Sequence, residues 1–351
     1  MDEPIIMNRH YNKIGILCSR FILLFTLGYI TISCGNVGST WSSNPTTTSY
    51  AYIADFGNAY TMCTIDKATN LLSSCNTSQT TPDQLSGSFG IAISNNIAYI
   101  TNETGKGSYT QCNINTITGA LYNCYTVAPG GSGVLLDPAS IMINQRYAYI
   151  INEVAIGSYT LCTVNSTNNG ALSNCNKFIP DLPDTLSYPS GIVINNNFAY
   201  ITNANQIGSY TICRVNPVTG VLDNCSQTTP SAPGALSYPG AIIIYAGYAY
   251  ITNEVASGSY TKCSINSNNG SLFNCNTIVP SGAGALSYPA GITINNGIAY
   301  ITNGNQNGSY TMCSVDSSTG LLSACNTTTP NIPGGLTYPD TIITLTLPTT
   351  L

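Results

Sequence analysis

Short apolar runs separated by polar turns recur along the chain, with the spacing of strands rather than helices. The stretch from Gly291 to Cys325 shows the pattern. Gly291-Ile-Thr-Ile-Asn alternates apolar and polar positions, Asn295-Asn296-Gly297 signals a turn, and Ile298-Ala-Tyr-Ile-Thr302 forms a second run. Asn303 to Gly308 is polar, and Ser309 to Val315 is rich in strand formers. Ser317-Ser-Thr-Gly320 then turns the chain into Leu321 to Cys325. β-Branched and aromatic runs bounded by Asn, Gly and Ser predict strands, so the segment predicts a four-stranded antiparallel meander. No helical period appears in the chain beyond its leader.

The same meander is written six times, beginning at Ala51, Ala98, Ala148, Ala199, Ala249 and Ala299. A fixed period near 50 residues predicts a repeat architecture. Four strands per repeat is the unit of a β-propeller blade. The array opens on a second strand, Tyr50 to Ala54, and closes on an orphan that reads as a first strand, Thr341 to Leu347. Pairing these two completes the sixth blade, closes the ring and removes exposed sheet edges. The expected fold is all-β, a six-bladed β-propeller over residues 50–351.

Each repeat carries two cysteines: Cys63 and Cys75, Cys112 and Cys124, Cys162 and Cys175, Cys213 and Cys225, Cys263 and Cys275, Cys313 and Cys325. The partners lie 12 residues apart, or 13 for Cys162 and Cys175, and they flank the turn between strands three and four. The extra residue of the 13-residue case falls in that turn, Ser166 to Gly170, which leaves pairing intact. In a hairpin the two would face each other directly, so a disulfide inside each blade is expected. A metal site is disfavoured, because neither His nor a CxxC pair accompanies them. Tyrosines also recur, at Tyr52, Tyr99, Tyr149, Tyr200, Tyr250 and Tyr300 and again at Tyr60, Tyr109, Tyr159, Tyr210, Tyr260 and Tyr310. They are expected to pack between blades with each hydroxyl on a polar neighbour. A carbohydrate-binding aromatic surface is the alternative.

Composition narrows the function classes. Charged residues are 7% of the 351 and the net charge is −5, so there is no basic footprint for nucleic acid. At the N-terminus, Arg9, Lys13 and Arg20 precede an apolar stretch, Phe21 to Ser33, that is too short to span a bilayer. This predicts a secretory signal over 1–33. Ser33-Cys34-Gly35 resembles the lipobox of bacterial lipoproteins, with Thr31 where that motif usually has Leu, which implies lipidation of Cys34. Residues 34–49 then read as the lipidated cysteine and a flexible tether. With Cys18 and Cys34 assigned to the leader, 12 of the 14 cysteines remain, all in the repeat pairs. An even set in an exported chain reads as disulfides. The expected location is the bacterial cell envelope, as an outer-membrane lipoprotein and a monomer.

The unit AYITN…GSYT-C…TG-L resembles the propeller repeats of the YVTN and NHL type. It also looks like the repeat of lactonase-type propellers, here in Tyr147 to Glu153 and Gly170-Ala171-Leu172. The resemblance covers residues 50–347 and implies a propeller. It also implies hydrolysis of anionic sugar lactones by basic or His groups in the channel. Beyond the leader this chain has no His, and its two Arg are Arg146 and Arg214.

Candidate site residues follow from the propeller geometry. Strand two ends in Asp55, Asn102, Asn152, Asn203, Asn253 and Asn303, and Glu103, Glu153 and Glu254 come next in three blades. Amides and carboxylates ringing a channel mouth suit Ca²⁺, which takes six to eight oxygens, or a sugar; otherwise each Asn satisfies backbone groups at a strand end. Tyr188, Tyr238, Tyr288 and Tyr338, each followed by Pro, read as rigid leads into the first strand and also suit protein recognition. No catalytic arrangement, resident metal or cofactor is evident. The expected function is a non-enzymatic, lipid-anchored propeller presenting a binding face to a protein or glycan. A lactonase-like hydrolase is the alternative, favoured if charged groups converge on the channel.

Overall fold

The computed structural model describes residues 47–78, 85–103, 107–130, 134–166, 168–180, 185–305, 308–330 and 336–348. The leader, Cys34 and most of the expected tether lie outside the described residues. Among these residues, 24 strands form six sheets of four, each an antiparallel meander. The inner strands are Ser88–Ser94, Pro138–Asn144, Pro189–Asn195, Pro239–Tyr245, Pro289–Asn295 and Pro339–Pro348. Each packs beside the inner strand of the next blade, and Pro339–Pro348 packs beside Ser88–Ser94, so the six enclose a central channel.

The first blade is assembled from both ends of the chain. Thr47–Asp55 pairs antiparallel with Pro339–Pro348, with Tyr50 opposite Leu345 and Tyr52 opposite Ile343. The first described strand begins at Thr47. This closure leaves no inner strand without a partner.

The repeated residues are the parts that join blade to blade. In every second strand the Ala-Tyr-Ile core is at most 1% exposed, because both faces of the sheet are covered by neighbouring blades. Near the channel, Thr101 donates to the Ala139 carbonyl at 2.9 Å and Thr252 to that of Ala290 at 2.7 Å, each on the next inner strand. At the rim the buried tyrosines reach the outer turn of the next blade. Tyr52 donates to Gly119 O at 2.7 Å, and Tyr99, Tyr149 and Tyr250 donate to Gly170, Gly220 and Gly320 at 2.8 Å. The accepting residue has φ between 60° and 74°, which is why Gly or Asn70 stands there. Tyr200 breaks the series: its hydroxyl is buried without a partner.

All six cysteine pairs are disulfides within blades, with Cα separations of 4.0–4.1 Å. They do not face each other as simple ladder partners. The register shifts at each pair, so the first cysteine sits opposite a β-bulge. The residue before the second cysteine is Ser74, Asn123, Asn174, Asn224, Asn274 or Ala324, and each has φ of 47–49°. The periodic spacing carried no sign of this extra residue because all six hairpins share it. The inserted residue of the Cys162–Cys175 blade lies in the turn, since Val164 still pairs with Leu172 as Val215 pairs with Leu222.

Candidate functional site: an acidic channel mouth

The loops after strand two meet the segments that lead into the inner strands at one end of the channel. Glu103 N–H donates to Gly87 O, Glu153 N–H to Asp137 O and Glu254 N–H to Tyr238 O, each at 2.9 Å. In the other blades Phe56, Ala204 and Gly304 occupy the Glu position and donate to Tyr338, Tyr188 and Tyr288. These six bonds fix where every side chain at this end begins.

The asparagine ring expected as ligands has a different role. Asn102 Nδ2 donates to Ser108 Oγ and Thr110 Oγ1 at 3.0 Å, and its Oδ1 accepts the Ser86 N–H at 3.3 Å. Asn152, Asn203, Asn253 and Asn303 repeat the arrangement with Ser158/Thr160, Ser209/Thr211, Ser259/Thr261 and Ser309/Thr311. Each of these asparagines is at most 1% exposed, and both amide N–H groups and one lone pair of the amide oxygen go into bracing the loop.

Asp55 occupies the same position in the first blade and cannot copy that pattern, because a carboxylate has no N–H to donate. Thr61 donates to its Oδ2 at 2.7 Å, and its Oδ1 has no partner. Burial pushes the carboxyl up to about 7, and the Thr61 hydrogen bond opposes that only in part. Burial costs the ionised form its hydration, so the proton is retained.

The carboxylates converge. Burial raises Glu103, with the Asp137 charge adding to it. Burial raises Glu153 to about 8, helped by repulsion from Glu103, Glu254 and Asp137. Glu254 is raised to about 7 by burial alone. Asp340, on the inner strand of the first blade, is held well above the ordinary carboxyl range by burial and then by Glu254, Glu103, Asp55 and Glu153. Its Oδ2 is buried and has no partner. Asp340 and Asp137 are not among the expected site residues; the expected closing strand begins at Thr341 and leaves Asp340 just before it. The repeats held a signal: the position of Asp340 is Ala290, Gly240, Ser190 and Ala139 in four blades and Phe89 in the fifth, so Asp340 is the one charged side chain there.

Behind the mouth is a cavity of about 320 Å³ lined by Glu153, Glu254 and Asp340. Its walls carry Ile91, Ile141, Ile192, Ile242, Ile292 and Ile342, one from the same position of each inner strand. Neither Lys nor Arg lines it. The electrostatics are thus opposite to the basic channel that the lactonase resemblance implies. Among the described residues, no group of three or more His, Cys, Asp or Glu side chains is arranged to hold a metal ion.

No protein-family model matches the sequence, and no curated protein matches it. Solved structures do share the fold. The periplasmic gluconolactonase of Pseudomonas aeruginosa matches with a TM-score of 0.61 at 12% identity, covering 86% of this chain and 99% of its own. A candidate 6-phosphogluconolactonase from Bacteroides fragilis matches with a TM-score of 0.60 at 13% identity, covering 85% and 98%. A chain of the nidogen/laminin complex matches with a TM-score of 0.58 at 14% identity, covering 84% and 98%. At these identities the likeness is one of fold, and the fold serves both kinds of protein.

Proposed function

We propose that this chain is an exported, lactonase-like hydrolytic propeller that cleaves an uncharged lactone or ester at the channel mouth. One observation carries the proposal: several carboxyls with raised proton affinity converge on a cavity of small-molecule size. Charged groups converging on the channel are the feature that separates hydrolase from scaffold, and here they are present. The gluconolactonase likeness of the fold points the same way. The six disulfides support folding in an oxidising compartment. The Ser33-Cys34-Gly35 sequence supports a lipid anchor.

Raised carboxyls suit both halves of the reaction, because near neutral pH some are ionised and others protonated. Ionised Glu254, which holds its proton less tightly than Glu153, takes a proton from water as the water oxygen bonds to the acyl carbon. The ring C–O bond then breaks, and its oxygen receives a proton from a neighbouring protonated carboxyl such as Glu153 or Asp340. The product is a hydroxy acid. Its carboxylate forms beside like charges, which favours release. A phosphorylated lactone would meet the same repulsion on the way in.

The test is turnover of gluconolactone and of its 6-phosphate by the folded protein. The uncharged lactone should be hydrolysed and the phosphate ester poorly, with a rate that climbs as pH rises toward 8. Glu153→Gln should lower kcat by roughly a hundredfold or more. Absence of turnover on lactones and simple esters alike would leave the scaffold reading. That reading has its own support in Tyr188, Tyr238, Tyr288 and Tyr338, which are 44–46% exposed at the same end.

A further inference from the structure

Three features of the channel meet at one place without being needed by one another. The walls are a belt of six isoleucines. The mouth is acidic and no basic side chain lines the cavity. Asp340, only 9% exposed, is among the residues that line the cavity, and its buried Oδ2 has no protein partner. A buried carboxylate without a partner is costly, and such groups are ordinarily paired or hydrogen-bonded. An anion is repelled here, and a neutral apolar molecule leaves Asp340 unmet. Among the described residues, no group of three or more His, Cys, Asp or Glu side chains is set for a metal ion.

We propose that the channel recognises an organic cation, with a protonated amine at Asp340, Glu254 and Glu153 and an aliphatic body between the isoleucines. An ammonium supplies three donors without needing the six to eight closely set oxygens of Ca²⁺. Its alkyl chain gains from leaving water for the isoleucine belt. The rim fits the same chemistry. Tyr188, Tyr238, Tyr288 and Tyr338 stand two residues before Ser190, Gly240, Ala290 and Asp340, all of which line the cavity. These tyrosines come from four consecutive blades and are held at φ of 44–48°. Left-handed backbone at a bulky residue costs free energy and is retained where position matters. Exposed aromatic faces beside carboxylates attract cations. The proposal does not depend on hydrolysis: the cation is either a bound ligand or the part of the substrate that anchors it.

Binding and proton release are linked. The titratable groups that line the cavity are Glu153, Glu254 and Asp340, with Glu103 and Asp55 acting on Asp340 from nearby, and all are acids. An alkylammonium stays protonated below about pH 10. Its affinity should therefore rise between pH 5 and pH 8.5, as the carboxyls lose the protons that compete with it.

The experiment is calorimetric titration of the folded protein with hexylammonium, hexanol and hexanoate at pH 5 and pH 8.5, using no ester and reading no turnover. Hexylammonium should bind at pH 8.5 at least about tenfold more tightly than hexanol, and more tightly than methylammonium, while hexanoate should not bind. Asp340→Asn should weaken hexylammonium binding by roughly tenfold and leave hexanol unchanged. Glu254→Gln provides the same comparison if the first variant does not fold. Equal binding of hexanol and hexylammonium would overturn the proposal, as would binding indifferent to both substitutions. So would millimolar Ca²⁺ displacing the amine at constant ionic strength, which would mark a metal site. Because no chemistry is measured, failure here leaves the hydrolytic proposal standing, and failure of hydrolysis leaves this one standing.

Discussion

The phenol of Tyr300 donates to the carbonyl of Asn70 at 2.8 Å, joining residues 230 positions apart in the chain. It is the same blade-to-blade tie made by Tyr52, Tyr99, Tyr149 and Tyr250, here carried across the closure of the ring. Tyr200 occupies the equivalent position, is equally buried and lacks the bond. Tyr300→Phe should therefore lower stability by about 1–2 kcal/mol. Tyr200→Phe should cost nothing or stabilise slightly. Chemical denaturation midpoints of the two variants compare the bond at matched burial; equal losses would assign the effect to packing instead.

Asp55 makes stability depend on pH. Its carboxyl is about 7 when folded against an ordinary 3.8, so the folded state binds the proton more tightly. This stability is fully present below about pH 4 and is lost as pH rises through about 7. Asp55→Asn restores a side chain that can donate to Thr61 as the other five blades do. It should be close to neutral at pH 4 and should stabilise by a few kcal/mol at pH 8. Thermal melts across that range would show the gap between variant and parent widening with pH. A constant gap would rule out titration of Asp55 as its origin.

Gly291 allows two inner strands to approach at the mouth. A Cβ there would lie 2.3 Å from the Asp340 carbonyl and 2.8 Å from the Ile342 nitrogen, both backbone atoms that cannot turn aside. Gly291→Ala should cost about 3 kcal/mol or more, since overpacking in a rigid setting is paid in backbone shifts. Gly57→Ala is the control: its nearest neighbour would be 3.9 Å away. Melting temperatures should fall for the first and barely move for the second.

The disulfides should be six, local and individually modest. Intact mass of folded protein should be lower by 12 hydrogens than the reduced chain, and peptide maps should link only cysteines 12 or 13 apart. Replacing Cys313 and Cys325 together with Ala should cost no more than about 3 kcal/mol, the loop-entropy limit for so short a loop. A larger loss would mean that the bulge at Ala324 depends on the bridge to hold its shape.

The blades were legible in the sequence because their cause is local and repeated. Strand periodicity, the Asn-Gly and Thr-Gly turns and the cysteine spacing each act within one meander, and six copies make the pattern visible. The closure of the ring was legible too, since only a split blade accounts for an opening second strand and an orphan first strand. The sequence left two roles open for the asparagines, a ligand ring or the satisfaction of backbone groups at a strand end. Asn102 and Asn303 take the second, with Ser and Thr hydroxyls as further partners.

The site was decided by tertiary structure for a general reason. Glu103, Glu153 and Glu254 recur at one repeat position in three blades, but Asp340 lies in a fourth blade at a position the repeat does not mark. Only the ring brings them to one mouth, removes water from them and lets the glutamates raise the proton affinity of Asp340. The sequence set the number of blades, their strands and their staples, because short-range hydrogen bonding and side-chain alternation determine those. The acidic, isoleucine-walled channel arises from long-range packing, where burial and charge repulsion depend on neighbours that the order of residues does not name.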